Sequence, residues 1–391
     1  MFSLIQKIIK MLKLIYILIV FCPLFSIESD NSNILTIIGT TNVHGEIDPC
    51  GWKKKPLGGL ARKATVIKNL KAEGINPLIL DAGDLLFKKN ILDPGVTLDV
   101  AKLNAEIIID SFNEMGCDAF SVGSKDFAGG LDFILDQYKK SNFPFLSANI
   151  VNKSGQLIFE PYTILKSNNI NIGVVGLTSI FDNNEIQILD PIASLKNVLN
   201  EVNNKSDVVI LLFNATQQDL TKLYSSDLEL DMILSSRGRT RSSDGGAQIP
   251  TYIAGDRGKI LYKFELNLVD KTLPFTDLAW CENTINRVGD RLQKMKQGNP
   301  DADLIKLYKS DQKTLNRIYG YQSQLNQANQ SLENAINTLS FEKIELGKLI
   351  FDSPSILKIV DKGKEKILEI GGPMMDIQGR LPGAPHHGHN H

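Results

Sequence analysis

The stretch Ile34-Leu35-Thr36-Ile37-Ile38-Gly39-Thr40-Thr41-Asn42-Val43-His44-Gly45-Glu46 joins a short apolar run to a polar turn. His44 is the only histidine of the 391-residue chain that precedes its extreme C-terminus. In α/β domains the loops at strand ends carry most of the chemistry, because the sheet holds them rigidly. The stretch therefore predicts a first strand that delivers a candidate functional histidine into a loop.

Strand-like and helix-like segments alternate along the chain from residue 34 to residue 268. Segments 171–177 and 208–213 are continuous apolar runs, which is typical of strands that are covered on both faces of a sheet. Segments 61–73 and 97–115 instead place apolar residues at helical spacing. The pattern predicts an α/β domain of about 230 residues.

Residues 1–26 have the layout of a signal peptide. Three lysines precede an apolar run at 14–25, which is shorter than a membrane-spanning helix requires. We therefore expect export to the periplasm or cell envelope with cleavage, and an uncleaved membrane anchor is the alternative. Cys22 would also allow lipid anchoring, but Phe21 before it and Pro23 after it make that less favoured.

Composition excludes several classes of partner and site. Hydrophobic residues make up 42% of the chain and charged residues 22%, as in ordinary globular proteins. The net charge of −1 gives no overall field that would attract nucleic acid, and we predict no nucleic-acid partner. Apart from Cys22 the cysteines are Cys50, Cys117 and Cys281, so at most one disulfide forms among these three. Without a Cys-x-x-Cys motif, a structural zinc site in this region is not expected.

The sequence changes character after Asn267. Segment 284–350 is polar and rich in Asn, Gln and Lys, and the pattern predicts helix. An apolar residue recurs there at every seventh position, at Ile318, Leu325, Leu332, Leu339 and Leu346. The period indicates a helical hairpin or a coiled-coil seam, through which residues 310–350 would contact a protein partner or a second copy. We favour the simpler alternative, a helix packed on the main domain.

Two segments complete the chain. Residues 351–370 are predicted to form a short helix that starts near Pro354. The tail 371–391 is rich in Gly, Pro and His, and we expect it to be disordered. Its last six residues, His386-His387-Gly388-His389-Asn390-His391, include four histidines that could bind Zn²⁺, Ni²⁺ or Cu²⁺ adventitiously, or could be an added tag.

Six short motifs in the α/β region carry a resemblance to a known family. They are Gly58-Gly59-Leu60-Ala61-Arg62, Leu80-Asp81-Ala82-Gly83-Asp84, Asp118–Gly123, Leu146-Ser147-Ala148-Asn149-Ile150, Gly173–Thr178 and Ala254–Lys259. Together they resemble the N-terminal catalytic domain of the 5′-nucleotidase branch of the calcineurin-like metallophosphoesterases, over roughly residues 34–268. The resemblance implies an α/β fold, a metallophosphoesterase-like βαβ sandwich of two sheets flanked by helices. The region after it would add a C-terminal helical or coiled-coil extension.

In that family two metal ions clamp a phosphate and generate the attacking hydroxide. The family's D-x-H motif reads Asn42-Val43-His44 here, so the aspartate is an amide and the histidine stays. The metal-bridging aspartate is present as Asp84. The family's GNHEFD reads Gly123–Ala128, so Ser124 replaces the ligand asparagine and Lys125 replaces the catalytic histidine.

Three further histidine positions of the family are also substituted. Asn214 stands where a histidine is expected after the strand at 208–213. The family's GGHSHT reads Ser235–Thr240, which places Arg237 and Arg239 at the two imidazole positions. Arginine stays protonated and does not ligate metals, and lysine is a poor proton donor near neutral pH. Of the family's ligand positions, His44 and Asp84 alone keep the usual residue type. The resemblance therefore predicts that two-metal hydrolysis is lost.

Three cations, at Lys125, Arg237 and Arg239, would then lie where metal ions bind in the family. Either Arg237 or Arg239 would pair with Asp84 and close the cleft, or the three cations would form a metal-free site for phosphate or another small anion. We favour the pairing with Asp84. The family's C-terminal substrate domain also has no recognisable counterpart after Asn267, so residues that would select a nucleoside are not found.

The sequence thus favours an exported, degenerate metallophosphoesterase-like protein that acts as a non-catalytic scaffold or as an anion- or partner-binding module without a resident cofactor. One alternative is a divergent 5′-nucleotidase-type phosphohydrolase acting on nucleotides or other phosphomonoesters. It would hold one Mn, Fe or Zn ion at His44 and Asp84, with Asp81 or Asp126 nearby. The other alternative is a coiled-coil structural component of an envelope assembly.

Overall fold

The structure is a computed structural model and describes residues 33–52, 54–90, 97–237 and 249–371. Several parts of the chain to which the sequence analysis assigned a role lie outside these residues. They are the predicted signal peptide with Cys22, the candidate residue Arg239 and nearly all of the predicted tail. Among the described helices, none combines the length and the apolar character that crossing a membrane requires.

Strands and helices alternate as the sequence predicts. The strands are β1 (Ile34–Thr40), β2 (Pro49–Trp52), β3 (Lys55–Gly58), β4 (Leu78–Asp81), β5 (Ala119–Ser121), β6 (Phe145–Leu146), β7 (Ile150–Val151), β8 (Tyr162–Ser167), β9 (Ile170–Thr178), β10 (Gln187–Ile188), β11 (Val208–Asn214), β12 (Met232–Ser236), β13 (Thr251–Tyr252), β14 (Ile260–Asn267), β15 (Phe275–Asp277) and β16 (Asn337–Glu345). The helices are α1 (Leu60–Ala72), α2 (Leu98–Met115), α3 (Leu131–Lys140), α4 (Pro191–Lys205), α5 (Gln217–Tyr224), α6 (Leu278–Met295), α7 (Leu304–Leu307), α8 (Gln312–Glu333) and α9 (Pro354–Glu369), and a 3₁₀ turn spans Ser124–Gly129.

Two sheets form the centre of the fold. The larger has seven strands in the order β15-β16-β14-β1-β4-β5-β6, and the smaller has five in the order β13-β12-β11-β9-β8. Strand β1 runs parallel to β4 and antiparallel to β14, and β9, β11 and β12 are parallel to one another. Apolar side chains of both sheets form one buried cluster, which places the sheets face to face. This architecture confirms the predicted two-sheet sandwich.

Strand β11 shows why its sequence is apolar throughout. Val208, Ile210 and Leu212 join the cluster between the two sheets. The alternate residues on the same strand, such as Leu211 and Phe213, pack in a separate cluster beneath α4 and α5. Because side chains alternate between the faces of a strand, a strand covered on both faces must be apolar at every position.

The C-terminal region differs from the sequence prediction in one segment. Helix α8 lies within the region predicted as helical and α6 begins six residues before it, but residues 337–345 form strand β16. Leu339 is fully buried opposite Leu266 in the large sheet. The seven-residue period therefore ends with α8, because burial in the sheet outweighs a helical pattern that local spacing alone suggested. A continuous coiled coil over 310–350 is excluded, and β15 and β16 extend the sheet beyond Leu268.

The helices of this region pack on one another and on the domain. Leu292 and Met295 near the end of α6 contact a small buried cluster that includes Leu315 and Ile318 of α8, as in a helical hairpin. Helix α9 corresponds to the predicted short helix and packs against α2. The contact is close at Gly363, where an added Cβ would lie 2.2 Å from the Cγ1 atom of Ile107.

Candidate functional site

The candidate site is built from loops that follow β1, β4, β5 and β12. Four of its residues, Asn42, His44, Asp84 and Arg237, have positive φ angles of 54°, 60°, 55° and 65°. Such backbone is uncommon outside glycine and collects at functional sites. Here hydrogen bonds between two loops hold it, since Asn42 N donates to Gly83 O at 3.0 Å and His44 N donates to Asp84 O at 2.9 Å. Those two loops are therefore joined along their backbones.

A charged cluster lies at the centre of these loops. The Nζ atom of Lys125 is 2.9 Å from Oδ2 of Asp84 and 2.8 Å from Nε2 of His44. On the other side of the imidazole ring, Nδ1 of His44 is 3.1 Å from Oδ1 of Asp256. Asp84 is fully buried, and Lys125 is about a quarter exposed. The ammonium group thus lies between His44 and Asp84, the two residues that the sequence singled out as candidate metal ligands.

The electrostatics of the cluster follow from this geometry. Burial favours the neutral form of Asp84, but His44 and Lys125 outweigh it and hold the pKa of Asp84 below its ordinary value of 3.8. Burial also opposes protonation of His44, but hydrogen bonds to Asp256 and Asp84 outweigh it and raise the pKa of His44 above 6.5. Asp84 is therefore an anion at neutral pH whose charge Lys125 compensates.

Asp126 joins the loops rather than facing the cluster. Its carboxylate accepts backbone N–H bonds from Asp84 at 3.0 Å, Leu86 at 2.7 Å and Gly123 at 2.7 Å. Burial, together with the nearby charge of Asp84, raises the pKa of Asp126 to about 8. This residue braces the loop after β4 against the loop after β5.

Asp81 is also engaged inside the fold. Its two oxygens accept from Thr40 Oγ1 at 2.6 Å and from Gly83 N at 2.9 Å. Burial raises its pKa to about 6, although the buried Lys63 nearby lowers it in part. Asp81 thus has partners at both oxygens, as Asp126 does.

The side-chain amides of Asn42 and Asn214 both form hydrogen bonds within the fold. Asn42 Oδ1 accepts from Arg237 N at 3.0 Å, and its Nδ2 donates to Gly255 O at 3.4 Å. Asn214 Oδ1 accepts from Ser124 N at 3.1 Å, and Asn214 Nδ2 donates to the hydroxyl of Ser236 at 2.7 Å. Asn42, Ser124 and Asn214 therefore tie neighbouring loops together.

Among the described residues the cation that pairs with Asp84 is Lys125, whereas the sequence favoured Arg237 or Arg239. Nη1 of Arg237 donates to the carbonyl of Ser179 at 3.4 Å, while Lys125 forms the ion pair with Asp84. The prediction of an Arg237–Asp84 pair is wrong because the positive φ of Arg237 and its backbone bond to Asn42 orient this loop differently. Arg239 lies outside the described residues.

Sequence reasoning gave no role to two further acidic residues of the site. Asp256 contacts His44 as described, and Glu46 forms an ion pair with Arg257, whose Nε is 2.6 Å from Glu46 Oε1. Asp256, the partner of His44, and Arg257, the partner of Glu46, both lie in the stretch Ala254–Lys259, which is one of the six motifs. The motif itself was the signal that the sequence offered. In the structure it lies beside the loop after β1, since Arg257 N donates to Asn42 O at 2.7 Å.

These donors do not fit a pair of metal ions. Two ions bridged by carboxylate need a converging set of oxygen and imidazole ligands. In the part of the chain that the structure describes, no group of three or more His, Cys, Asp or Glu side chains is arranged to hold a metal ion. Asp84 and His44 face the ammonium group of Lys125, and the oxygens of Asp81 and Asp126 accept hydrogen bonds from other groups.

Comparison with known proteins places the fold. No family model matches the chain. The chain is 30% identical over 257 residues to protein UshA of Salmonella pullorum, which covers 61% of this chain and 44% of that protein. It is 32% identical over 163 residues to a 5′-nucleotidase of Vibrio parahaemolyticus, which covers 40% and 27% of the two chains. The chain thus matches less than half the length of these relatives.

A solved structure gives a wider match. The calcineurin-like phosphoesterase YfkN of Bacillus subtilis superposes with a TM-score of 0.58 and 17% identity, over 86% of this chain and 98% of that one. Residues 34–268 alone are too few for that coverage, so the shared fold extends into the C-terminal region. At this identity the likeness concerns the fold alone.

Proposed function

We propose that the chain is a non-catalytic member of the 5′-nucleotidase type of calcineurin-like metallophosphoesterases, to which its N-terminal domain is similar, and that it works as an exported scaffold or binding module. The observation that carries the proposal is the position of Lys125 Nζ, 2.9 Å from Asp84 and 2.8 Å from His44. A tethered ammonium there supplies the positive charge that a buried carboxylate needs. It also opposes a metal ion at the same two ligands, by repulsion and by occupying space.

The remaining substitutions support the same conclusion. Arg237 cannot ligate a metal, because its guanidinium group stays protonated. Asn42 and Asn214 use their amides to join loops. The donors at these positions therefore stabilise the fold instead of presenting open ligand positions.

Metal content with turnover tests this proposal. The protein should carry Gln at the four tail histidines, so that adventitious binding does not contribute. After incubation with Mn²⁺, Zn²⁺ or Fe²⁺ and gel filtration, we expect far less than one metal ion per chain. We also expect no hydrolysis of para-nitrophenyl phosphate or AMP above the buffer rate. Stoichiometric metal with turnover that Asp84→Asn abolishes would establish the alternative, a divergent phosphohydrolase.

A small anion is the second ligand class to test at this site. Lys125 and Arg237 are the described candidates, although Asp84 already neutralises Lys125. Calorimetric titration with phosphate, on the wild type and on Arg237→Ala, measures this directly. Saturable binding that the substitution removes would favour an anion-binding module, and absence of saturable binding would favour a scaffold.

Export is part of the proposal. The lysines and the apolar run of residues 1–26 support a signal peptide. Fractionation of cells that express the full-length chain should place the mature protein in the periplasm or envelope. N-terminal sequencing then separates cleavage after residue 26 from an uncleaved anchor or a lipid at Cys22.

A further inference from the structure

A cavity of about 600 Å³ lies at the opposite end of the five-stranded sheet from the candidate site. It opens where β11 and β12 begin, and Val209 and Asp231 contribute to its wall. Strand β11 spans seven residues, so about 20 Å separates this cavity from Asn214 at the other end of the strand. Ligands of parallel sheets usually bind at the C-terminal ends of strands. The cavity is thus separate from the candidate site.

The wall of the cavity is acidic. Its charged residues are Asp207, Asp227, Glu229, Asp231 and Lys271. Asp207 is compensated, because one of its oxygens is 2.6 Å from Nζ of Lys271 and the other accepts a backbone N–H bond. Within the described residues, the other three carboxylates form no ion pair. The cavity therefore has acceptors and negative charge that the described chain does not balance.

The inner surface of the cavity combines this charge with apolar area. Asp231 accepts one hydrogen bond, from Val209 N at 2.7 Å. Partial burial and then the charge of Glu229 raise the pKa of Asp231 to about 6, as expected for a partly buried carboxylate without a cation. Two other lining atoms, Oδ1 of Asn203 and Oγ of Ser206, are buried without a hydrogen-bond partner in the described structure.

We propose that this cavity binds an organic cation, an amine or guanidinium group that is attached to an apolar body. The cationic group would meet Asp231 and Glu229, while the apolar body would contact Leu230 and Ile249, which also line the cavity. The volume lies in the range of small-molecule sites, about 300–1,000 Å³. A single metal ion would leave most of it, including its apolar lining, without a partner.

Calorimetric titration with agmatine tests the proposal on the full chain. We expect saturable binding that weakens as salt rises from 20 to 150 mM, because screening reduces the attraction between charges. The neutral analogue 1,5-pentanediol should not bind. Asp227→Asn/Glu229→Gln should weaken agmatine binding about tenfold without unfolding the protein, because both residues line the cavity and are exposed.

A matched control separates a site from the general charge of the protein. Glu73→Gln/Glu114→Gln makes the same change in charge at exposed positions outside the cavity and should leave agmatine binding unchanged. An equal loss in this control would overturn the proposal, as would the absence of saturable binding by the wild type. The proposal would also be overturned if Ca²⁺ bound at a lower concentration than agmatine, with the same stoichiometry, and prevented agmatine from binding. The cavity would then be a metal site.

Discussion

Replacement of Lys125 by Met should reveal how strongly the fold depends on its ion pair with Asp84. Asp84 is fully buried, and Lys125 Nζ lies 2.9 Å from its Oδ2 atom. Removing one partner of a buried pair typically costs about 3–5 kcal/mol, because the other charge is left without compensation. Lys125 is a quarter exposed, and the Lys125 N–H at 3.1 Å and His44 would remain beside the carboxylate. We therefore expect a loss of about 2 kcal/mol in the free energy of unfolding.

Urea unfolding monitored by fluorescence measures this loss. With a slope of about 2.5 kcal/mol/M, the midpoint at pH 7 should fall by about 0.8 M. The pH dependence has a definite sign. The folded-state pKa of Asp84 is lowered, so the stability gained from its charge is present above pH 3.8 and is lost as pH falls through the folded-state pKa. The loss of stability caused by Lys125→Met should therefore become smaller as the pH is lowered.

Two variants decide the interpretation. Lys125→Met/Asp84→Asn removes both charges, so it should recover most of the lost stability. Lys139→Met breaks the exposed pair with Asp136 on α3 and should change stability by no more than about 0.5 kcal/mol. If Lys125→Met unfolds at the wild-type midpoint, or if the double variant is no more stable than the single one, the ammonium group does not compensate Asp84.

Three further predictions follow from buried contacts. Asp231 has a folded-state pKa of about 6 against an ordinary value of 3.8, so the folded state binds more protons and Asp231 should lower stability by up to about 3 kcal/mol between pH 4 and 6; in urea titrations of Asp231→Asn the fall should be smaller by this amount, while the part due to Asp81, whose pKa is also raised to about 6, should remain. Gly363→Ala should cost about 1–2 kcal/mol, because its Cβ would overlap Ile107; Gly289→Ala, a helical glycine with open space, should instead gain up to about 1 kcal/mol in the same assay. Leu339→Ala should cost about 3 kcal/mol, since the side chain is buried in the large sheet, and a small effect would restore the coiled-coil interpretation of that residue.

The sequence predicted the sandwich because its signals are local and repeated. Each apolar run, such as that of β11, indicates a strand that is buried on both faces. Each of the six motifs indicates where a strand ends. The heptad that includes Leu332 and Leu339 failed for the opposite reason. A seven-residue spacing in a polar segment specifies helix only weakly, and the pairing of Leu339 with Leu266 joins residues far apart in the chain.

The candidate site was predicted in part. The sequence identified the residues that correspond to ligand positions of the similar family, because the motifs fix their places at strand ends. It could not determine which cation reaches Asp84, since Lys125 and Arg237 both lie on loops whose direction depends on single backbone conformations. Asp256 was missed as a partner of His44 because their contact at 3.1 Å joins loops separated by more than half of the chain.

The place of β16 between β14 and β15 has a consequence for the order in which the protein folds. The pair Asn267–Thr338 closes a loop of about 70 residues, which costs about 4 kcal/mol of chain entropy before the strand pairing repays it. Formation of α6 and α8 shortens this search, because two packed helices bring the ends of the loop closer. Until β16 emerges during synthesis, β14 is an unpaired edge beside β1 that is open to pairing with other chains. Nascent chains that stop before residue 337 should therefore aggregate, while the complete chain covers that edge.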